Sequence, residues 1–255
     1  MRGQYTIEEQ AEQLKEYLGC PCAYYPPSDD CQLMISDFFQ ARARGKKEGF
    51  VPMLVAVDEL LLECLEINGE DKTAGQVRQE LLSAPLKSGK ELLDEWLRGA
   101  KEGWAEVDPE FYANWDTQVI GEVAGGEGIN RLLSLWDYNG KQTIPIILAE
   151  IPVKNPWEVF AWLPFGGWNE CPANEEHMAV AKYWFEKYGA IPALMTHDVL
   201  EYTIPFDTSV PSWQALDLAL EQYAYCNDIV DQGVETVGRL ADGLMRSHFW
   251  YFWWD

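Results

Sequence analysis

Four residues in the last third of the chain have the side-chain types of a nucleophilic site. Cys226 would be the nucleophile, His177 or His197 the base that takes its proton, and Asp228 the group that orients the imidazole. Cys226 and Asp228 lie in the segment 222–233, the most polar stretch set among apolar neighbours, between two predicted helices. The same stretch also reads as a structural turn, in which Asp228 caps backbone, Gln232 bonds a neighbouring strand and Cys226 is a small buried hydrophobe. The turn is the preferred reading, because no spacing in the sequence brings a histidine within hydrogen-bond reach of Cys226.

Other constellations carry less chemistry. His197 and Asp198 with Glu201, joined by His177, could offer metal ligands. The chain has three histidines and no HxH or HExxH spacing, so neither a metal nor any other cofactor is expected. Asp198 is expected to form a turn between two strands, and Glu201 to face solvent or pair with a lysine. Trp168, Asn169 and Cys171, with Asp198, Glu201 and Gln232, are the candidate binding residues. Trp157, Trp162, Trp168, Trp184 and Trp213 could line a ligand groove, although rings at helix and strand spacing more often form core. The loop from Gly121 to Gly128 lacks the Lys and Ser/Thr of a phosphate loop and carries Glu122 and Glu127, so it reads as a flexible connector. Paired carboxylates of the glycosidase kind do not stand out among 42 acids.

Charge narrows the partners. Forty-two acids against 19 Lys and Arg give a net charge of −23. Residues 1–145 hold 26 acids and 14 bases, and residues 146–255 hold 16 and 5, so the excess is not a tail. Such a surface repels nucleic-acid backbones and anionic lipid, and favours a basic protein partner or serves solubility alone. Residues 1–19 contain no apolar h-region, and no apolar run approaches the roughly 20 residues of a membrane span. The six cysteines lack a regular disulfide or zinc spacing, and Cys20-Pro21-Cys22 reads as two thiols beside a turn. Reduced thiols and a cytoplasmic location follow as expectations. Nothing in the pattern sets an oligomeric state.

The elements that must hold these residues are legible in outline. Thr6 with Glu9 and Ser88 with Glu91 are capping boxes that open helices. Further helices are predicted over 32–48, from Asp58, over 73–83, from Asn174 to Tyr188, from Ser212 and over 234–245. Residues 20–30 read as loop, 51–57, 157–163, 191–196 and 199–204 as strands, and Asn139-Gly140 as a hairpin turn. The run Phe249 to Asp255 reads FWYFWWD. A strand there sends Trp250, Phe252 and Trp254 to one face and Phe249, Tyr251 and Trp253 to the other. Being apolar on both faces, it is expected inside a sheet rather than at its edge. Helices and strands mix without strict alternation, so the class is α+β, a mixed sheet flanked by helices. Residues 1–140 are expected to form a helix-rich α/β region and 141–255 a carboxy-terminal α+β domain. Gly49–Asp58 and Gly189–Asp198 echo each other, which points to two related helix–strand halves about a pseudo-twofold.

Several motifs in one order also carry a resemblance. They are Trp168-Asn169-Glu170-Cys171-Pro172, His177 opening a helix, Tyr183-Trp184, Tyr188-Gly189-Ala190, Asp198 to Glu201, EQYAYCNDIVDQG from Glu221 to Gly233, and Trp250 to Asp255. Together the carboxy-terminal 110 or so residues resemble the bacterial domain-of-unknown-function family numbered 4253. The resemblance implies an intracellular bacterial setting and transfers no catalytic residue. The function expected is therefore a non-enzymatic protein-interaction module, immunity- or antitoxin-like. The alternatives are a small cysteine-dependent hydrolase or transferase, or a small-ligand-binding domain.

Overall fold

In a computed structural model, residues 5–69 and 71–255 are described; residues 1–4, which open the stretch read as lacking an h-region, and Glu70 lie outside them. In chain order the elements are α1 (Ile7–Leu18), β1 (Cys22–Tyr25), α2 (Gln32–Glu48), β2 (Val51–Ala56), α3 (Glu59–Gly69), α4 (Ala74–Ser83), α5 (Gly89–Val107) and α6 (Pro109–Ala113). They continue with β3 (Ile146–Ile151), α7 (Asn174–Tyr188), β4 (Ile191–Met195), β5 (Val199–Thr203), α8 (Ser212–Tyr225), α9 (Val237–Leu244) and β6 (Phe249–Trp253). The fold is α+β, with helices around one mixed six-stranded sheet ordered β1-β3-β2-β4-β5-β6. Among the described residues β2 and β4 run parallel, and every other neighbouring pair in the sheet is antiparallel.

Both faces of this sheet are covered, which explains strands that are apolar at every position. Met53, Val55, Ile147, Ala149, Leu200, Tyr202, Trp250 and Phe252 face a large core shared with α1, α3, α7, α8 and α9. Their alternates Leu54, Ala56, Ile146, Leu148 and Phe249 face a smaller core with Met34, Phe38 and Ala41 of α2 and Leu132 and Leu135 of the following loop. In the large core Trp184 packs edge-on against Tyr202, Tyr225 and Trp250 and stacks on Phe252. Each such aromatic pair adds about 0.5–1.5 kcal/mol beyond its buried area.

The aromatic strand β6 is buried in the sheet as expected, but it takes the outermost position beside β5 rather than a central one. Its free edge is blunted locally. Ile129 O accepts hydrogen bonds from His248 N and Phe249 N, and the Cys226 thiol donates to Trp253 O at 2.9 Å. The inference from two apolar faces to a central place fails because layers of helix and loop bury the faces, while strand order is a separate matter.

Other local expectations also shift. Residues 20–30, read as loop, contain the edge strand β1, and residues 157–163, read as a strand, fall largely in a 3₁₀ turn from Pro156 to Ala161. Asn139-Gly140 does turn the chain, but only a single bridge, Trp136 to Thr143, forms across it, because β3 pairs with β1 and β2 instead. The helix expected over 234–245 is α9, which starts only at Val237, after a π-helical turn that ends at Val234.

The echoed segments lie side by side: Leu54 pairs with Leu194 and Val55 with Met195 in parallel register. Each strand follows a helix closed by an αL glycine, Gly49 at φ 82° and Gly189 at φ 68°, a backbone conformation that glycine adopts without steric cost. The halves are not related by a twofold. In-register partners point to the same face, α2 and α7 lie on opposite faces, and β2 leads into a helix where β4 leads into a strand. The sheet crosses the expected boundary at residue 140, since β1 and β2 flank β3 and β2 pairs with β4.

Candidate functional site

Residues 253–255 tie three of the sequence motifs together. Trp253 Nε1 donates to Asp198 Oδ2 at 3.1 Å, and Trp254 N donates to Asp198 O. Asp255 N donates to Asp228 Oδ2 at 3.1 Å, and Asn169 Nδ2 donates to Asp255 O at 3.0 Å. Asp198, the 226–228 turn and Asn169 therefore meet around the end of β6, through hydrogen bonds that satisfy backbone.

The expected nucleophilic trio does not form. Cys226 is buried, its thiol is bonded to the Trp253 carbonyl, and burial raises its pKa to about 12. Asp228 meets Asp255 N and Gln232 Nε2 rather than a histidine. Gln232, expected to bond a strand, is exposed and bonds Asp228 at 2.8 Å. His177 is fully buried, stacked between Phe160 and Phe165, with Nδ1 2.5 Å from Tyr225 Oη. Its Nε2 lies 3.4 Å from the sulfur of Cys171, so the buried histidine partners a different cysteine. Burial lowers the His177 pKa to about 3 and raises that of Cys171, which keeps both groups neutral.

His197 pairs elsewhere. It follows β4, and Asp58 follows the parallel neighbour β2, so the carboxyl ends of the two strands bring His197 Nδ1 to 2.5 Å from Asp58 Oδ2. His197 Nε2 lies 3.6 Å from Asp198 Oδ2, and Asp198 Oδ1 accepts from Thr196 Oγ1, which completes the expected turn. The hydrogen bond to Asp58 raises the His197 pKa against partial burial. Burial pushes the Asp58 pKa up, but bonds from His197 and Leu60 N outweigh it and leave the carboxyl below its ordinary value. Asp58 was missed as a site residue, although the echo had aligned it with Asp198.

Glu201, expected to face solvent or a lysine, is completely buried. Its carboxylate accepts from Leu133 N and Ser134 N at 2.8–3.1 Å, and burial raises its pKa despite those bonds. Strand alternation puts it on the smaller-core face between Leu200 and Tyr202, where the 133–134 backbone needs an acceptor. Among the described residues no group of three or more His, Cys, Asp or Glu could hold a metal ion.

A cavity of 760 Å³ forms a cleft between α5, the loop from Asn169 to Ala173 and the end of α8. Trp96 and Trp104 wall one side, with Gly99 and Gly103 leaving the helix surface between them bare. Tyr223, Tyr225 and Cys171 close the other side, and Glu95, Glu170 and Glu176 are its charged residues. Among the described residues no Lys, Arg or His lines it. Of the candidate binding residues, Asn169 and Cys171 border this cleft, while Asp198, Glu201 and Gln232 do not. None of the five tryptophans proposed for a groove borders it: Trp184 is core, Trp213 is exposed, and Trp168 donates Nε1 to Phe165 O. The walls come instead from Trp96 and Trp104 of α5, which were not among the candidate groove residues.

Among the described residues no helix is long and apolar enough to cross a membrane. No curated protein and no solved structure matches the chain. Residues 147–255 match the model of the family described as a domain of unknown function, DUF4253, so the resemblance carried by the motifs from Trp168 to Asp255 holds over that stretch.

Proposed function

We propose that this protein is a non-enzymatic interaction module whose cleft between α5 and the end of α8 takes a basic segment of a partner protein. The observation that carries this reading is the cleft's composition: two tryptophans, two tyrosines and three glutamates, with no cation among the described residues. A lysine or arginine entering it gains ring faces, at about 0.5–2 kcal/mol per cation–π contact, and carboxylates at the rim. The net charge of −23 draws such a partner in and raises its on-rate at low salt. A role covering a basic toxin or nuclease, as in immunity proteins, is the concrete form, in a cytoplasmic setting.

The test is anisotropy of a fluorescein-labelled Arg-Gly repeat peptide across a salt series. Affinity should fall as salt rises, and fall further in Trp104→Ala and in the Glu95→Gln/Glu170→Gln double variant. Glu66→Gln, on the exposed face of α3, should leave it unchanged. Binding that responds equally to Glu66→Gln is nonspecific and sinks the reading.

The hydrolase alternative moves from Cys226 to Cys171, because Cys171 borders the cleft 3.4 Å from His177 Nε2. Both groups are held neutral, so Cys171 should react slowly with iodoacetamide at neutral pH. Fast, pH-independent labelling of Cys171 would favour the enzyme over the binding module.

A further inference from the structure

A second cavity, of 310 Å³, opens at the amino ends of β2 and β4, the opposite end of the strands from Asp58 and His197. Phe50, Val153, Phe185 and Ile191 give it apolar walls. Its charged residues are Arg42, Lys46 and Lys154, and no Asp or Glu among the described residues lines it. In a chain with 42 acids and 19 bases, this inverts the polarity of the large cleft.

The acids next to these residues in sequence are engaged elsewhere. Glu48 and Glu150 pair with Arg44, and Glu158 accepts from the backbone of Lys154 and Asn155. Among the described residues Arg42, Lys46 and Lys154 form no ion pair. Lys46 and Lys154 are exposed at the rim. Arg42 is half-buried, and its one hydrogen bond among the described residues runs from Nη1 to Thr203 Oγ1. Burial pushes its pKa down to about 10, which still leaves it charged at neutral pH. A half-buried guanidinium without a counter-ion is costly, and an anion delivered by a ligand offsets that cost.

We propose that this cavity binds a small apolar carboxylate, with the carboxylate on Arg42, the two lysines at the rim and the chain against Phe50 and Phe185. The 310 Å³ volume holds roughly ten non-hydrogen atoms at about 30 Å³ each, the size of octanoate. The planar, forked guanidinium suits a carboxylate, and the apolar walls leave room for one polar head only.

Isothermal titration calorimetry of the intact chain with octanoate, octan-1-ol and octylamine tests the proposal. Octanoate should bind with one site, and octan-1-ol and octylamine about tenfold more weakly or not at all, the loss expected for a charge-assisted hydrogen bond. Arg42→Gln should weaken octanoate by a similar factor, with near-UV CD checking that it folds. Lys46→Gln/Lys154→Gln changes only exposed side chains and should weaken octanoate and make its affinity less salt-sensitive, so it decides the matter if Arg42→Gln misfolds. Ring resonances of Phe50 and Phe185 should shift with octanoate. Absence of octanoate binding below its micelle concentration, or equal binding of octan-1-ol, overturns the proposal. The peptide assay on the other cleft is unaffected by either result.

Discussion

At the residue scale, the clearest electrostatic pair is His197 with Asp58, and its pH dependence can be worked out. The folded pKa of His197 is raised by Asp58, so its stabilisation is complete below the unfolded value near 6.5 and is lost as pH rises through the raised value. Asp58 is lowered, so its share is present above its unfolded pKa and is lost as pH falls through the depressed one. The pair is therefore strongest in mildly acidic solution. Asp58→Asn keeps the cap on Leu60 N and removes the charge, and should cost about 0.2–1 kcal/mol there, as partly exposed pairs do. Thermal melts of both proteins should converge as the pH is raised to where His197 is neutral. A gap that stays constant from pH 5 to pH 9 would mean the ion pair contributes nothing. The sequence offered both residues, but 139 positions separate them and no local pattern marks such a pair.

At the element scale, β6 is an outer strand that behaves as core. Phe252 contacts Trp184, Tyr202, Tyr225 and Trp254 and has no exposed surface. Phe252→Ala should cost about 3–5 kcal/mol in urea unfolding, as for other buried large-to-small changes. Deleting Trp250–Asp255 should abolish the near-UV CD and the cooperative melt, because the deletion also strips the hydrogen bonds that hold Asn169, Asp198 and Asp228. A truncated protein that keeps both signals would show the strand to be dispensable. What was legible here was local. Caps, αL glycines and strand alternation marked most helices and the β2, β4, β5 and β6 strands. β1 was not legible, because four residues between prolines carry almost no periodic signal.

At the scale of the whole molecule, the family match and the folding unit do not coincide. Residues 147–255 contain nearly all of β3 and all of β4, β5 and β6, but β3 and β4 do not touch as neighbours; β2, from outside the match, lies between them. Residues 141–255 expressed alone therefore leave a gap in the sheet, lose α1, α3 and α5 from the large core and lose α2 from the smaller one. That fragment should show no cooperative thermal transition, while the full chain melts in one. A cooperative melt of the fragment would make the two expected regions independent domains. The large cleft spans the same division, since α5 supplies Trp96 and Trp104 and the matched stretch supplies the opposite wall.

Composition, capping and alternation act over a few residues, so the α+β class, the acidic excess, the apolar strands and the family resemblance could all be read along the chain. The edge position of β6, the hold of Glu201 on the 133–134 backbone, and the meetings of His197 with Asp58 and of His177 with Cys171 emerge only when the chain is folded. The fold also placed Trp96 and Trp104 on a cleft and left Arg42 with no ion pair among the described residues. Each of these depends on which strands become neighbours, and that is fixed by packing of the whole chain, across separations that leave no periodic trace in the sequence.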